Sequence, residues 1–235
     1  MLRLTILFLS FLIHSSLLAF DEYKANYEVY LLGTKIADET RILKRDKDIY
    51  TFSSLASTSD LGKLFGDRKI ISKSIINFAN KIIDLESFTS KETEKNKLRE
   101  IIRVAFKKHG KLIISSQRNK HNNTETFELG LRPLDPLSAS LVLSEDLKNN
   151  INFSEEKYIY SNGKKNRMIS IKKLDKRVMK YKEKDYEVIP LKLSDEESSI
   201  IFFYAPSLKY APIEIEKQTK NKMFLYKLEN LEFYK

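Results

Sequence analysis

Covalent chemistry in this chain would fall to its carboxylates. Cysteine is absent, so thiol nucleophiles, thiolate metal sites and redox pairs drop out. Of the three histidines, His14 sits in an apolar leader, His109 in a turn signal and His121 in a polar stretch. Scattered imidazoles of this kind read as solvated side chains rather than zinc ligands. No His-Glu-x-x-His helix, Gly-x-Ser-x-Gly elbow or phosphate-cradling glycine loop occurs, and the six glycines give nucleotide folds little support. What remains is paired-acid chemistry, since glycoside hydrolysis needs only two carboxyl groups at a set separation. The chain has 32 acidic residues and its spacing singles out no pair. Asp135 draws the eye, but it stands directly before Pro136, where a helix cap accounts for it better than catalysis does. The sequence therefore predicts no catalytic residue, no metal and no cofactor, with a glycan-acting enzyme as the minor alternative.

The candidate binding element is the loop 60–67. It sets Leu61, Leu64 and Phe65 among Gly62 and Gly66, with polar residues on either side. The spacing predicts a lid that folds over a sheet end and closes the core. The alternative is a mobile gate or a tip that touches a membrane.

The elements that must position these residues are mostly strands. Tyr23, Ala25, Tyr27, Val29 and Leu31 alternate with polar residues, as a half-buried strand requires. Gly33-Thr34 turns the chain into a return strand over 35–44. Further strands are predicted over 49–56, 68–78, 82–89, 98–106 and 112–116. Beyond them come 153–160, 167–174, 183–193, 199–204, a strand about Ile213 and Ile215, and 223–233. Asn162-Gly163 reads as a hairpin turn, and Pro206 and Pro212 bracket another. The stretch 117–126 is polar and reads as a loop, the candidate seam between two halves; its Asn122-Asn123-Thr124 matches a common glycosylation pattern.

One helix is predicted over about 135–148. Asp135 caps it, Pro136 takes the first helical position, and Leu137, Ala139, Leu141, Val142, Leu143 and Leu147 follow. Its apolar residues cover most of the circumference, which calls for burial rather than a surface stripe. Glu145, Asp146 and Lys148 are expected to mark the end that emerges. The fold class is mainly β: a curved antiparallel sheet or partly open β-barrel packed around this helix, with Asp135, Pro136, Leu137 and Leu141 as structural residues.

The first nineteen residues read as a secretory signal peptide. Arg3 precedes an apolar run over 4–13, His14, Ser15 and Ser16 break it, and Ala19 offers the cleavage edge. An uncleaved anchor is the alternative, although the apolar run is short for a spanning helix. The expected location is the periplasm, with 20–235 as one β-rich domain. The formal charge of +10 comes with abundant Lys, Asn and Ile, a general compositional bias rather than a patterned basic patch. Nucleic-acid binding is not expected.

The order of these pieces resembles a family of exported bacterial proteins known as domain of unknown function 3108. The resemblance rests on Tyr27-Glu28-Val29-Tyr30 with Gly33 and Ile36, and on Leu131-Arg132-Pro133-Leu134-Asp135-Pro136-Leu137-Ser138, where an Asp-Pro-Leu-Ser stretch opens a helix. It extends to the apolar run 200–204 and to Ala211-Pro212-Ile213-Glu214-Ile215. The chain lacks Trp, with Phe202 and Phe203 standing where relatives often carry it. The resemblance implies a cell-envelope β protein and supplies no catalytic residues. The function expected from these readings is a periplasmic carrier or binding module for an apolar or amphipathic envelope molecule. The alternative is a structural or assembly partner that binds another envelope protein through a strand edge.

Overall fold

The computed structural model describes residues 20–79 and 82–234. The expected leader, 1–19, lies outside the described residues. β1 (Tyr23–Leu31), β2 (Thr34–Asp46), β3 (Ile49–Thr58), β4 (Arg68–Ala79), β5 (Ile82–Glu94), β6 (Lys97–Lys108), β7 (Leu112–Arg118) and β8 (His121–Phe127) form an antiparallel meander. β9 (Leu131–Leu134) leads into α1 (Ala139–Lys148). Then come β10 (Lys157–Ser161), β11 (Asn166–Lys173), β12 (Arg177–Tyr181), β13 (Lys184–Ser194), β14 (Ser198–Ala205), β15 (Ala211–Thr219) and β16 (Lys222–Phe233). β16 returns to pair antiparallel with β1, which joins the two runs of strands into one sheet with β8 at one end and β9 at the other. β9 lies parallel to β10, and β12 shares an edge of β13 with β11.

The predicted alternation is realised in β1, where Tyr23, Ala25, Tyr27 and Val29 are buried and the residues between them are not. Hairpins supply the curl. Leu32 and Gly33 both take positive φ between β1 and β2, the backbone that a tight two-residue turn needs to match strand twist. The sheet curls far enough for distant parts to touch. A Cβ on Gly163, in the β10–β11 turn, would fall 2.2 Å from Ile102 Cγ2 on β6. Beside it Lys164 Nζ lies 3.0 Å from Glu100 Oε2, also on β6. The result is a nearly closed, barrel-shaped sheet around one helix, as the sequence predicts.

Helix α1 is buried along almost all of its length, including Ala139, Leu141, Val142, Leu143 and Leu147. Its regular turns begin at Ala139, with Ser138 at the N-cap position, later than expected; Asp135 instead caps the turn 136–138 that leads into it. Asp135 Oδ1 accepts the N–H groups of Leu137 (2.7 Å) and Ser138 (2.8 Å), and the Asp135 N–H donates to Ser138 Oγ (3.3 Å). Ser74 Oγ on β4 donates to the same carboxylate oxygen at 2.9 Å, which fastens the cap to the wall.

Three expectations need correction. The polar stretch 117–126 is not a loop. It is the end of β7, a tight turn, and most of β8, with every residue of β7 paired to β8. β8 lacks apolar alternation because it ends the sheet path with most of its residues exposed; backbone pairing to β7 holds it, with Phe127 packed against the core at its end. Asp146 does not emerge with the helix end: it is 1% exposed, held by Arg132 Nη2 at 2.6 Å and by the Tyr158 hydroxyl at 2.9 Å. The strand expected from 153 begins at Lys157, and the short β9 and β12 carry too little periodicity to be read from sequence. Among the described residues no helix is long and apolar enough to cross a membrane.

Candidate functional site

The barrel has two unlike ends. The turns β1–β2, β3–β4, β5–β6, β7–β8, β10–β11, β13–β14 and β15–β16 all fall on one rim, because the strands they join run antiparallel in register. The helix starts midway and runs toward the opposite rim, where Lys148 Nζ lies 5.9 Å from the centre of the Phe20 ring. On the helix side the inward residues are apolar, among them Leu43, Tyr50, Phe52, Ile76, Phe202 and Tyr204. The Tyr204 hydroxyl donates to the Ser140 carbonyl at 2.9 Å and locks the helix in place.

Toward the first rim the same inward positions turn polar. Glu39 and Arg41, two apart on β2, face inward and meet in a two-point pair, Nε to Oε1 and Nη2 to Oε2, each 3.0 Å. Ser54 Oγ, from β3, donates to Glu39 Oε1 at 2.5 Å. The Arg41 guanidinium lies 5.0 Å from the Tyr27 ring centre and 5.8 Å from that of Tyr226. Burial works against the Glu39 charge, but the Arg41 charge and these hydrogen bonds outweigh it and hold the carboxyl below its ordinary range. Burial raises the Tyr226 hydroxyl to about 12.

Beside this pair opens a cavity of about 570 Å³. Pro136, ahead of the helix, lines it together with Tyr160, Ile169, Leu193, Ile200 and Lys217, while Lys220 and Lys222 stand at its rim. Arg167 crosses to the β13–β14 turn, bonding Asp195 Oδ2 at 2.8 Å and Glu197. Burial pushes Asp195 up, but Arg167 and the N–H groups of Glu197 and Ser198 pull it further down, so it stays ionised. The hydrogen bond from Arg167 likewise lowers Glu197. Both acids stand on one turn and share one guanidinium; they do not face each other across the cavity.

Lys217 is different. It continues the inward series Ile213, Ile215 along β15, is partly buried, and has no hydrogen bond or ion pair among the described residues. Burial lowers its pKa, with the Glu39 charge opposing and the charges of Arg41 and Lys164 adding to the shift. The Tyr160 hydroxyl, raised above its ordinary value by burial, likewise has no partner among the described residues. The cavity thus pairs an apolar wall with a cation and a phenol that no described residue pairs with by hydrogen bond or ion pair.

The site residues read from sequence divide in two. Asp135, Pro136, Leu137 and Leu141 come together at the helix start, with Pro136 on the cavity wall. Leu61 and Leu64 do not close the core: they are 58% and 82% exposed, Leu61 just before and Leu64 within the 3₁₀ turn at Gly62–Phe65, on the rim that carries the β3–β4 connection. The side chain of Phe65 lies outside the described part of the structure. Backbone contacts anchor this turn instead. Ser59 N–H donates to the Ile36 carbonyl at 2.9 Å, Ser59 Oγ donates to the Lys35 carbonyl at 3.0 Å, and a Cβ on Gly62 would sit 1.8 Å from the Ile36 oxygen. Lys217, Glu39 and Arg41 were missed, although each sits on the inward parity of an alternating strand. Among the described residues no cluster of three or more His, Asp or Glu side chains is arranged to hold a metal.

The family described as "Protein of unknown function (DUF3108)" matches residues 26–225. The chain belongs to that family. No curated protein matches it. Among solved structures, this DUF3108 member is similar to the crystal structure of a beta-barrel-like protein of domain of unknown function DUF1849 from Brucella abortus. The identity is 11% over 92% of this chain and 99% of the other, with a TM-score of 0.63. At that identity the likeness speaks for the DUF3108 fold alone.

Proposed function

We propose that the protein is an exported carrier or binding module that holds an apolar or amphipathic envelope molecule in the cavity above α1. One observation carries the reading: the helix fills only part of the barrel, leaving a cavity of about 570 Å³ that reaches the rim. Ligand sites of about 300–1,000 Å³ with apolar walls and a few polar groups are typical of small-molecule binding. The leader 1–19 supports export, and a periplasmic location follows if it is removed at Ala19. We read the protein as a non-enzyme. In support, the acids at the cavity, Asp195 and Glu197, are both held ionised by Arg167, which leaves neither as a general acid. The test is mass spectrometry of lipid extracted from protein purified without detergent from the envelope fraction. A reproducible co-purifying amphiphile supports the reading, and repeatedly empty protein overturns it.

A second reading has its own observation. β8 ends the sheet path, pairs only with β7, and leaves most of its residues exposed, so its outer edge is open to a strand from another envelope protein. Crosslinking from β8 in cells would then capture one dominant protein partner.

A further inference from the structure

We infer that the cavity takes its ligand head first onto Lys217, and that the ligand is an amphiphile with an anionic oxyacid head, a carboxylate or a phosphate, on an acyl chain. This rests on the carrier reading and sharpens it. The argument begins with charge. The other inward cations near the cavity are neutralised within the chain: Arg41 by Glu39, and Arg167 by Asp195 and Glu197. Among the described residues Lys217 has no such partner, and the nearby Glu39 is already committed to Arg41 and Ser54.

A partly buried, unpaired ammonium is unfavourable, and a ligand anion is what would relieve it. The depressed pKa of Lys217 agrees with that reading. Lys220 and Lys222 at the rim leave the mouth positive and attract an anion toward it. The Tyr160 hydroxyl supplies a second donor on the same wall. Ile169, Leu193, Ile200 and Pro136 offer the surface an acyl chain would cover. Neither a neutral hydrocarbon nor a cationic amphiphile uses the ammonium, so the combination selects for negative charge at one end.

The test is displacement of the neutral fluorophore 1-N-phenylnaphthylamine from the purified chain at pH 7.5. The probes are oleate, oleyl alcohol, 1-oleoyl lysophosphatidate and inorganic phosphate, each below its aggregation limit. Oleate or lysophosphatidate should bind about tenfold or more tightly than oleyl alcohol, a difference of about 1.4 kcal/mol. Whichever of the two is tighter identifies the head group. Lys217→Met should abolish the preference, and Lys217→Arg should keep it. Far-UV circular dichroism of both variants separates lost binding from lost folding. Equal affinity for oleate and oleyl alcohol, or a preference that survives Lys217→Met, overturns the inference and leaves the carrier reading standing. Inorganic phosphate binding as tightly as lysophosphatidate removes the acyl requirement and overturns it as well. Failure of all four probes to displace the fluorophore counts against both.

Discussion

Asp135 shows how much one side chain is asked to do. Its carboxylate caps the turn that leads into the helix, ties it to Ser74 and sits fully buried, with one oxygen, Oδ2, left without a hydrogen bond. Burial raises its pKa from 3.8 to about 6, against the pull of the Ser138 and Leu137 N–H groups and the Ser74 hydroxyl. The folded protein therefore binds this proton more tightly than the unfolded chain does. The stabilisation is complete below about pH 4 and is lost as pH rises through about 6. The Asp135→Asn variant cannot titrate there. Its unfolding free energy should gain on the wild type by roughly 2–3 kcal/mol between pH 4 and pH 7. Urea midpoints at four pH values check this, and parallel curves for the two proteins refute it. The Glu39–Arg41 pair poses the opposite problem. Glu39→Gln leaves a guanidinium buried without its counter-charge and should cost about 3–5 kcal/mol. Replacing both residues with apolar ones (Glu39→Leu with Arg41→Met) should cost much less. A double-mutant cycle by denaturant titration reads the difference, and additive losses would show that the two do not act as a pair.

At the scale of elements, α1 is held from three sides. Ser74 on β4 reaches its cap, Tyr204 on β14 reaches Ser140, and Arg132 and Tyr158 on β9 and β10 reach Asp146. These polar ties fix its position, and Leu143, wholly buried, supplies part of the packing. Leu143→Ala should destabilise the protein by about 2–5 kcal/mol through lost burial and the void left behind. A thermal melt measures it, and a change under about 1 kcal/mol would mean that the helix is not packed as the core. The 3₁₀ turn at Gly62–Phe65 works the other way. Its leucines are free in solvent while its backbone is fixed to β2, so Leu64→Ser should leave stability within about 0.5 kcal/mol. Any larger loss by the same melt would restore Leu64 to the core.

At the scale of the whole molecule, closure depends on a small contact between strands far apart in the sheet. Gly163 takes positive φ and lies against Ile102 and Val104, with the Lys164–Glu100 ion pair beside it. Gly163→Val would drive a branched side chain into β6 and add backbone strain. We expect a loss of about 2–4 kcal/mol and faster amide exchange in β6 and β10 together. Exchange confined to the β10–β11 turn would mean that this contact does not hold the barrel shut.

Strand alternation and the capped, all-round apolar helix were written in single residues, so a barrel around α1 could be read before any coordinates: Tyr23 to Val29 show the period, and Asp135-Pro136 the cap. What escaped was whatever depended on neighbours remote in the chain. β8 carries little apolar signal because most of its side chains are exposed and its backbone pairs with β7, and Asp146 looks like a surface acid until Arg132 and Tyr158 arrive from other strands. The exposure of Leu61 and Leu64 follows from where Gly62 meets Ile36 across the rim, a contact that no local pattern encodes. Lys217 lay on the legible inward parity of β15, yet its lack of a partner among the described residues was decided only when folding gave Arg41 and Arg167 their carboxylates and left the Lys217 ammonium facing a cavity. Local sequence sets which way a side chain points, and the tertiary structure decides what it meets there, because charge compensation is a property of the assembled neighbourhood.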